Sequence, residues 1–580
     1  MSSSYRPPTD SYDFLVREVI DVGEVLARSE SGMTIDDISV TIREASRIAA
    51  DVLEPLNGPG DRQGLSITDG EVSLPDGYTD AFATLAKGGW LGFAQPSEYG
   101  GGDAPDVVRH AVEELWAASN LSMSLGPLLT GGAIPAIAEI ASPEIRSTYL
   151  PPMIAGRWTG TMNLTEPQAG TDLSRIRTTA VPEADDTWRI HGEKIFISWG
   201  EHDAAENIIH LVLARTEGAP EGLRGLSLFL VPKYLPGDDG GIGTRNTVSC
   251  VSTESKLGIH ACPTCVMAFD GAAGFLVGGV GDGLSSMFVM MNKARIGVGV
   301  QALGIADRAT QHAQVYAAER IQGRVVGIAG DAPIADHPDV RRLLLGMSSS
   351  VTAMRALSLQ LAAWSDLAEL APEPQRADAA RHRDFFVPIF KAWCTERAQQ
   401  VVSDGLQVHG GMGFIEETGA AQYLRDARIL PIYEGTTAIQ ANDLIGRKLI
   451  RDSGAVASEV VATVRDDLDR LDASGGLAPT LLHVLRDAVG AVDRCTQKIL
   501  ERGADARDNL ASAVPYTMLW GAVAGAWMHA RIVLAASDEA QHDASVSADA
   551  FAIGVLAPAL GNEVAVIVGE AGDPNSAVRS

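Results

Sequence analysis

Positive charge is scarce in this 580-residue chain: 46 Lys and Arg stand against 74 Asp and Glu, a net charge of −28. Duplex nucleic acid is bound through Lys/Arg–phosphate contacts, and an anionic membrane surface through basic patches. The balance therefore excludes both as bulk partners, but not one small polyanion held by a few local cations. Cysteine is scarce too. Five cysteines, an odd number, are too few for a disulfide framework and point to a reducing, cytoplasmic compartment. The first ten residues lack the apolar core of a signal peptide. Long charge-free apolar runs are also missing. The two most apolar segments contain His529 and Arg531 (Tyr516–Ala536) and Asn562 and Glu563 (Phe551–Gly569). Charge at bilayer depth is costly, so both read as buried core helices and no integral membrane segment is expected. What remains is 46% hydrophobic and 21% charged, the composition of a folded soluble protein.

The texture of the chain changes three times. Residues 10–158 read as mostly helical, with helices over Thr34–Leu53 and Pro105–Ser119 and a Gly/Pro-rich loop at Gln95–Pro105. From about Gly160 to Phe275, short strand-like runs alternate with turn clusters: Trp188–Ile190, Lys194–Ser198, Asn207–Arg215 and Leu226–Pro232. That is the pattern of an antiparallel β domain, with Tyr234–Ser252 as an exposed insertion. Long helical runs follow at Leu284–Ala318, Pro338–Asp366, Pro374–Leu406 and Glu434–Arg451, which suggest an antiparallel bundle. After Asp452, helices resume at 455–472, 477–503, 515–536 and 548–571, with Asp538–Asp549 as a polar break. The expected domains are 1–158, 159–282, 283–452 and 453–580, an α+β, mostly α protein.

Three segments stand out chemically. Met162–Asp172 combines small residues, hydroxyls and free backbone amides beside the first strand, so a planar or phosphorylated ligand can approach the backbone; an ordinary turn explains it equally well. His409–Phe414 is a glycine-dense turn after a long helix, where a helix C-cap serves as well as a ligand site. In Pro431–Gln440 one carboxylate, Glu434, sits between a tyrosine and Gly-Thr-Thr at the head of an apolar helix. It is either a helix-start acid favoured by the dipole or a general base in an apolar site.

Taken together, these segments resemble the acyl-CoA dehydrogenase family over residues 30–450. The likeness rests on Met162–Asp172, Lys194–Ser198, Asn292–Arg295, Glu319–Arg324, Gln407–Gly411 and Tyr433–Gln440 in that order. The insertion at 234–252 and the helices after 452 resemble a large-subunit branch that includes 3-methylmercaptopropionyl-CoA and related fatty acyl-CoA dehydrogenases. The resemblance implies an N-terminal helical domain, a middle β domain, a four-helix bundle and an extra helical domain. It implies bound FAD, α,β-dehydrogenation of an acyl-CoA with Glu434 as base, and electron-transfer flavoprotein as acceptor. Met162, Leu164, Thr165, Gly170 and Thr171 match the loop beside the flavin, and Phe196, Ile197 and Ser198 match the strand beside it. Thr436 and Thr437 follow the base toward the cofactor. Arg320 and Gln322, with Gln407, His409, Gly410 and Gly411, match positions that reach FAD across a subunit interface, which implies a homo-oligomer, dimer or tetramer. Thr171, Arg295 and Gly435 match substrate-side positions.

The chain departs from the family pattern in three places. Thr171 stands where serine is common, Arg320-Ile-Gln where Arg-Lys-Thr is common, and Ala438 where close relatives carry glycine. An acyl-CoA oxidase, or a non-catalytic paralogue, stays open beside the dehydrogenase reading. No metal site is expected: Cys262-Pro-Thr-Cys265 has the right spacing but no second pair. His337 reads as a subunit or cofactor contact. Trp364, Trp393, Trp520 and Trp527 read as helix-core residues, and Asp466, Asp467 and Asp469 as a solvated helix face.

Overall fold

The computed structural model describes residues 5–184, 187–237, 240–475, 477–503 and 507–569. The chain divides into two compact units. One comprises Arg47–Pro105 and Ser119–Gly297; the other comprises Met1–Ser46, Asp106–Ala118 and Val298–Ser580.

The first unit is built on a seven-stranded sheet. Its order runs Val248–Thr253, Thr264–Val277, Trp188–Ser198, Thr179–Pro182, Asn207–Thr216 and Trp158–Asn163. The seventh strand, Leu226–Pro232, pairs with both Thr264–Val277 and Asn207–Thr216 and so closes a ring. Most pairings are antiparallel, as the turn pattern predicts. Trp158–Asn163 and Thr179–Pro182, however, both run parallel to Asn207–Thr216. That strand reads as a nearly continuous apolar run because it is covered on both faces. Val212, Ala214, Phe229 and Val231 share one core with Ile190 and Met267. On the other side the Leu121–Ile140 helix lies against the Trp158–Asn163 strand, and a Cβ on Gly160 would stand 2.6 Å from that of Ala133.

Three expectations for this unit are corrected. Gly192 does not break the strand: Trp188–Ser198 is continuous, with Gly192 at φ 153°, and a Cβ there would meet Thr178 Oγ1 at 2.5 Å. The insertion after Tyr234 is no bare loop. It holds the hairpin Tyr234–Pro236/Ile242–Arg245, and Val248–Thr253 joins the main sheet; Asp238 and Asp239 lie outside the described residues. A hairpin at Ser66–Thr68/Glu71–Ser73 breaks the helical region, turning on Asp69 and Gly70 at φ 51° and 82°. Its Asp-Gly dipeptide was the available signal.

The second unit is helical. Its long helices are Pro338–Leu370 and Gln375–His409, with the later part of Gly283–Glu319. Ala455–Ala473, Pro479–Arg502 and Arg507–Ala535 follow. Trp393 is received by a notch in the Arg507–Ala535 helix: a Cβ on Gly521 would stand 2.1 Å from Trp393 Cγ. Trp393, Trp520 and Trp527 are buried as the pattern predicts, and Trp364 is half-buried against Phe386.

Two readings here are overturned. Asp467 is buried and accepts a hydrogen bond from Trp527 Nε1 at 2.8 Å, so only Asp466 and Asp469 face solvent. Among the described residues, three helical runs are long and apolar enough to cross a membrane by length and composition. The most apolar 18-residue window is 78% buried in Leu121–Ile140 and in Arg507–Ala535, but only 28% buried in Gln541–Val568. That last run is helical from Gln541, through the polar stretch taken as a break, and Ile553, Val564 and Val568 are exposed rather than core. Asn562 and Glu563 broke its charge-free run without turning its apolar stripe inward.

Candidate functional site

The residues marked by the motifs fall into two groups, one in each unit. In the sheet unit, Met162 lies next to the end of the Trp158–Asn163 strand, and the chain then turns tightly, with Glu166 and Ala169 exchanging backbone hydrogen bonds at 3.1 and 2.9 Å. A buried ion pair fixes this loop. Lys194 Nζ donates to Glu166 Oε1 at 2.9 Å and to the Leu164 carbonyl at 3.0 Å, and both side chains are buried. Glu166 also accepts from the Thr178 hydroxyl at 2.6 Å and from the Arg177 and Thr178 amides. Burial alone would raise the Glu166 pKa, but Lys194 and these donors hold it below the ordinary carboxylate value. Burial pushes Lys194 down to about 8, against the pull of Glu166. The Ile195 amide donates to the Thr165 carbonyl at 2.9 Å, so loop and strand run side by side.

This scaffold presents Phe196 in an unusual way. Its φ is 61°, in the left-handed region that bulky residues avoid, and its ring is 57% exposed. Ile197 points inward at 2% exposure and Ser198 is half-buried. Thr165 and Met162 are half-buried, Leu164 is buried, and Gly170 and Thr171 lie open, with nothing within 4 Å of a Cβ at Gly170. An exposed aromatic face beside hydroxyls and uncrowded backbone fits a planar, polar-edged ring system such as a flavin. Arg295 is buried on the Gly283–Glu319 helix, 6.0 Å from the Phe288 ring centroid.

In the helical unit, Glu434 is half-buried and also left-handed, at φ 54°, followed by Gly435 at φ 88°. The helix begins only at Thr437, with Thr436 at the N-cap position, so Glu434 precedes the helix rather than opening it. Four contacts fix this segment. Tyr433 Oη donates to Gln301 Oε1 at 2.5 Å, and Thr437 Oγ1 donates to Glu396 Oε1 at 2.6 Å. Gln440 Nε2 donates to the Glu434 carbonyl at 3.0 Å, and Lys391 Nζ donates to the Gly435 carbonyl at 2.7 Å.

Arg320 and Gln322 follow the end of the Gly283–Glu319 helix on an exposed loop and contact each other at 3.2 Å. His337 closes that loop, its Nε2 meeting the Gln322 carbonyl at 2.9 Å. Gln407 is exposed, and Gly410 and Gly411 have nothing within 4 Å of a Cβ. His409 is the last residue of the Gln375–His409 helix. Its ring is buried, stacked on Tyr316 with centroids 4.5 Å apart, and its Nδ1 lies 2.7 Å from the Gly405 carbonyl, so it supports the turn from within. Burial lowers its pKa. The motifs quoted Lys194, Glu166 and Gln440 without giving them roles and missed Lys391. A charged residue inside an apolar run, as in Phe385–Trp393, was the signal for Lys391. No group of His, Cys, Asp and Glu that could hold a metal ion occurs among the described residues.

Comparison with known proteins adds independent findings. Residues 45–157 match the model described as acyl-CoA dehydrogenase, N-terminal domain; residues 161–272 match the middle domain and residues 281–449 the C-terminal domain. Residues 456–559 match acetyl-CoA dehydrogenase C-terminal like. The chain is 48% identical to 3-methylmercaptopropionyl-CoA dehydrogenase of Ruegeria pomeroyi over 92% of each chain. The solved Caenorhabditis elegans ACDH-11 in complex with C11-CoA superimposes with a TM-score of 0.77 at 19% identity, covering 97% of this chain and 92% of that one. Acyl-CoA dehydrogenase complexed with FAD from Bacillus anthracis gives a TM-score of 0.73 at 20% identity, covering 98% and 94%. At these identities the two structures establish the fold.

Proposed function

The chain belongs to the acyl-CoA dehydrogenase family, and from that premise we propose that it converts an acyl-CoA thioester to its trans-2-enoyl-CoA with FAD as cofactor and Glu434 as base. When bound, FAD supplies the acceptor for the hydride that leaves the β carbon. The chain's own residues do the rest. Glu434 removes the α proton, and its backbone N–H donates to the thioester oxygen, where negative charge develops. The observation that carries this reading is the conformation of Glu434: a half-buried carboxylate on a strained backbone, braced by four hydrogen bonds to its neighbours. Strain at a charged residue persists only where the surroundings over-determine it, and it concentrates at functional sites. The residues proposed to hold FAD are the Met162–Thr171 loop, Phe196 and Ser198, and Arg320, Gln322 and Gln407 are proposed to reach FAD across a subunit interface.

The finer reading is a short linear acyl group, with 3-methylmercaptopropionyl-CoA the first candidate because of the similarity to the Ruegeria enzyme. Electrons pass to an electron-transfer flavoprotein. The enzyme works in the cytoplasm as a homo-oligomer. Five free, buried cysteines support the compartment. Val326 at 96% exposure and Phe414 at 82%, beside the loops of Arg320 and Gly410, support the subunit interface.

Anaerobic flavin bleaching against a panel of acyl-CoAs tests the reaction. Reduction by one or more members is expected, and reoxidation in air should be slow; fast reoxidation with peroxide release would make the protein an oxidase. Glu434→Gln should keep FAD and bind acyl-CoA while its reduction rate falls by about 10³-fold or more, the upper range for loss of a general base. A near wild-type rate in that variant would remove Glu434 from the role.

A further inference from the structure

Lys391 lies fully buried in the middle of the Gln375–His409 helix, and its ammonium donates to the Gly435 carbonyl at 2.7 Å. Burying an ammonium is costly, so a residue of this kind is retained where its contact does something an apolar side chain could not. The contacted peptide is the one immediately after Glu434. The adjacent carbonyl, that of Glu434 itself, accepts from Gln440 Nε2, whose side chain is also buried. Two successive backbone carbonyls are thus each held by a buried side chain, across a turn with φ values of 54° and 88°. A left-handed conformation is strained for an ordinary residue, and bonds of this kind help to hold Glu434 in it.

We propose that Lys391 is a positioning residue for the base: it fixes the Gly435 carbonyl and thereby the backbone turn that aims the Glu434 carboxylate. The proposal rests on the reading of Glu434 as base. In this proposal Lys391 acts through the backbone and not on the reacting atoms. Its effect is on the rate of proton removal, which is sensitive to placement: a shift of about 1 Å costs on the order of 10²-fold. A lysine that only filled the core would, when replaced, lower stability, flavin content and substrate affinity together.

The test uses holoenzyme under anaerobic stopped-flow conditions. The probe is whichever member of a set running from butyryl-CoA to palmitoyl-CoA, with 3-methylmercaptopropionyl-CoA, reduces wild-type flavin fastest. Lys391→Met matches the side chain's length and removes its donor and charge. It is expected to retain FAD and to half-saturate within about 3-fold of wild type, while the limiting reduction rate falls about 10- to 100-fold. Lys391→Arg, which keeps a charged donor, should recover most of that loss. A limiting rate within about 2-fold of wild type in Lys391→Met overturns the proposal, as does a parallel loss of affinity and rate. If Lys391→Met fails to hold flavin, Gln440→Met takes its place, with the same split expected and an unchanged rate overturning the idea. Wild-type flavin that no acyl-CoA reduces would defeat the functional reading itself. Wild-type reduction with an equally fast Lys391→Met defeats only the positioning claim.

Discussion

Each of the two groups of candidate residues, one in each unit, is pinned by a buried lysine, but what answers the lysine differs. In the sheet unit Lys194 meets a carboxylate, Glu166, which is held by three further donors from Arg177 and Thr178. In the helical unit Lys391 meets the Gly435 carbonyl. In both places a non-glycine residue, Phe196 or Glu434, is kept in the left-handed region close by. The contrast separates two jobs. An ion pair inside the fold ties stability to the shape of the Met162–Asp172 loop. A lysine on a backbone carbonyl can fix one turn while the rest of the fold carries little of the consequence.

The sharpest way to break this comparison is to remove Lys194. Lys194→Met leaves Glu166 charged and buried without its ammonium, and breaking a buried pair from one side costs about 3–5 kcal/mol. Denaturant unfolding should show that loss together with release of FAD. The double variant Lys194→Met/Glu166→Gln should recover part of it, because no lone charge remains. If Lys194→Met lost less than about 1 kcal/mol, the ion pair would not be what ties the loop to stability, and the two lysines would be doing the same job.

These lysines also mark the limit of what was legible in the sequence. The helical, β, helical, helical order could be read because apolar periodicity and turn residues are local signals. Glu434 could be singled out because Tyr-Glu-Gly-Thr-Thr is a local signal of five residues, although that segment left a helix-start acid and a general base both open. The partners that fix the site are far along the chain: 28 residues separate Lys194 from Glu166, and 44 separate Lys391 from Gly435. Tertiary approach also decided the errors. Gly192 looks like a turn and is a strand glycine crowded by Thr178. Asp467 looks solvated and binds Trp527. The apolar stripe of Gln541–Val568 looks like core and lies largely open.

Acid should press on the sheet unit next. His202 and His210 are buried beside the Trp158–Asn163 strand, hydrogen-bonded to Thr159 and Thr161 at 2.9 and 2.8 Å. Burial, with a smaller push from Lys233, lowers each to about 3. An unfolded histidine titrates near 6.5, so below that pH the unfolded chain binds more protons and folding weakens. The contribution is intact above about pH 6.5 and fades as the pH falls toward 3. Between pH 6.5 and 4.5 each histidine should remove on the order of 2 kcal/mol. Tm measured across that range should drop, and His210→Gln should flatten the drop. A His210→Gln slope equal to wild type would mean that the acid sensitivity comes from other groups.

The smallest effects separate the two left-handed residues by function rather than stability. Glycine adopts φ near +60° without penalty, so Phe196→Gly and Glu434→Gly each relieve strain of about 1 kcal/mol while giving the unfolded chain more freedom by a similar amount. Phe196 is 57% exposed and buries little surface of its own. Both variants should therefore unfold within about 1 kcal/mol of wild type. Their failures should differ: Phe196→Gly should bind flavin more weakly in a fluorescence titration yet still respond to acyl-CoA at saturating FAD, whereas Glu434→Gly should hold flavin normally and never be reduced. A loss of several kcal/mol in Phe196→Gly would make that ring a packing element of the sheet, and the likeness between the two strained positions would be geometric only.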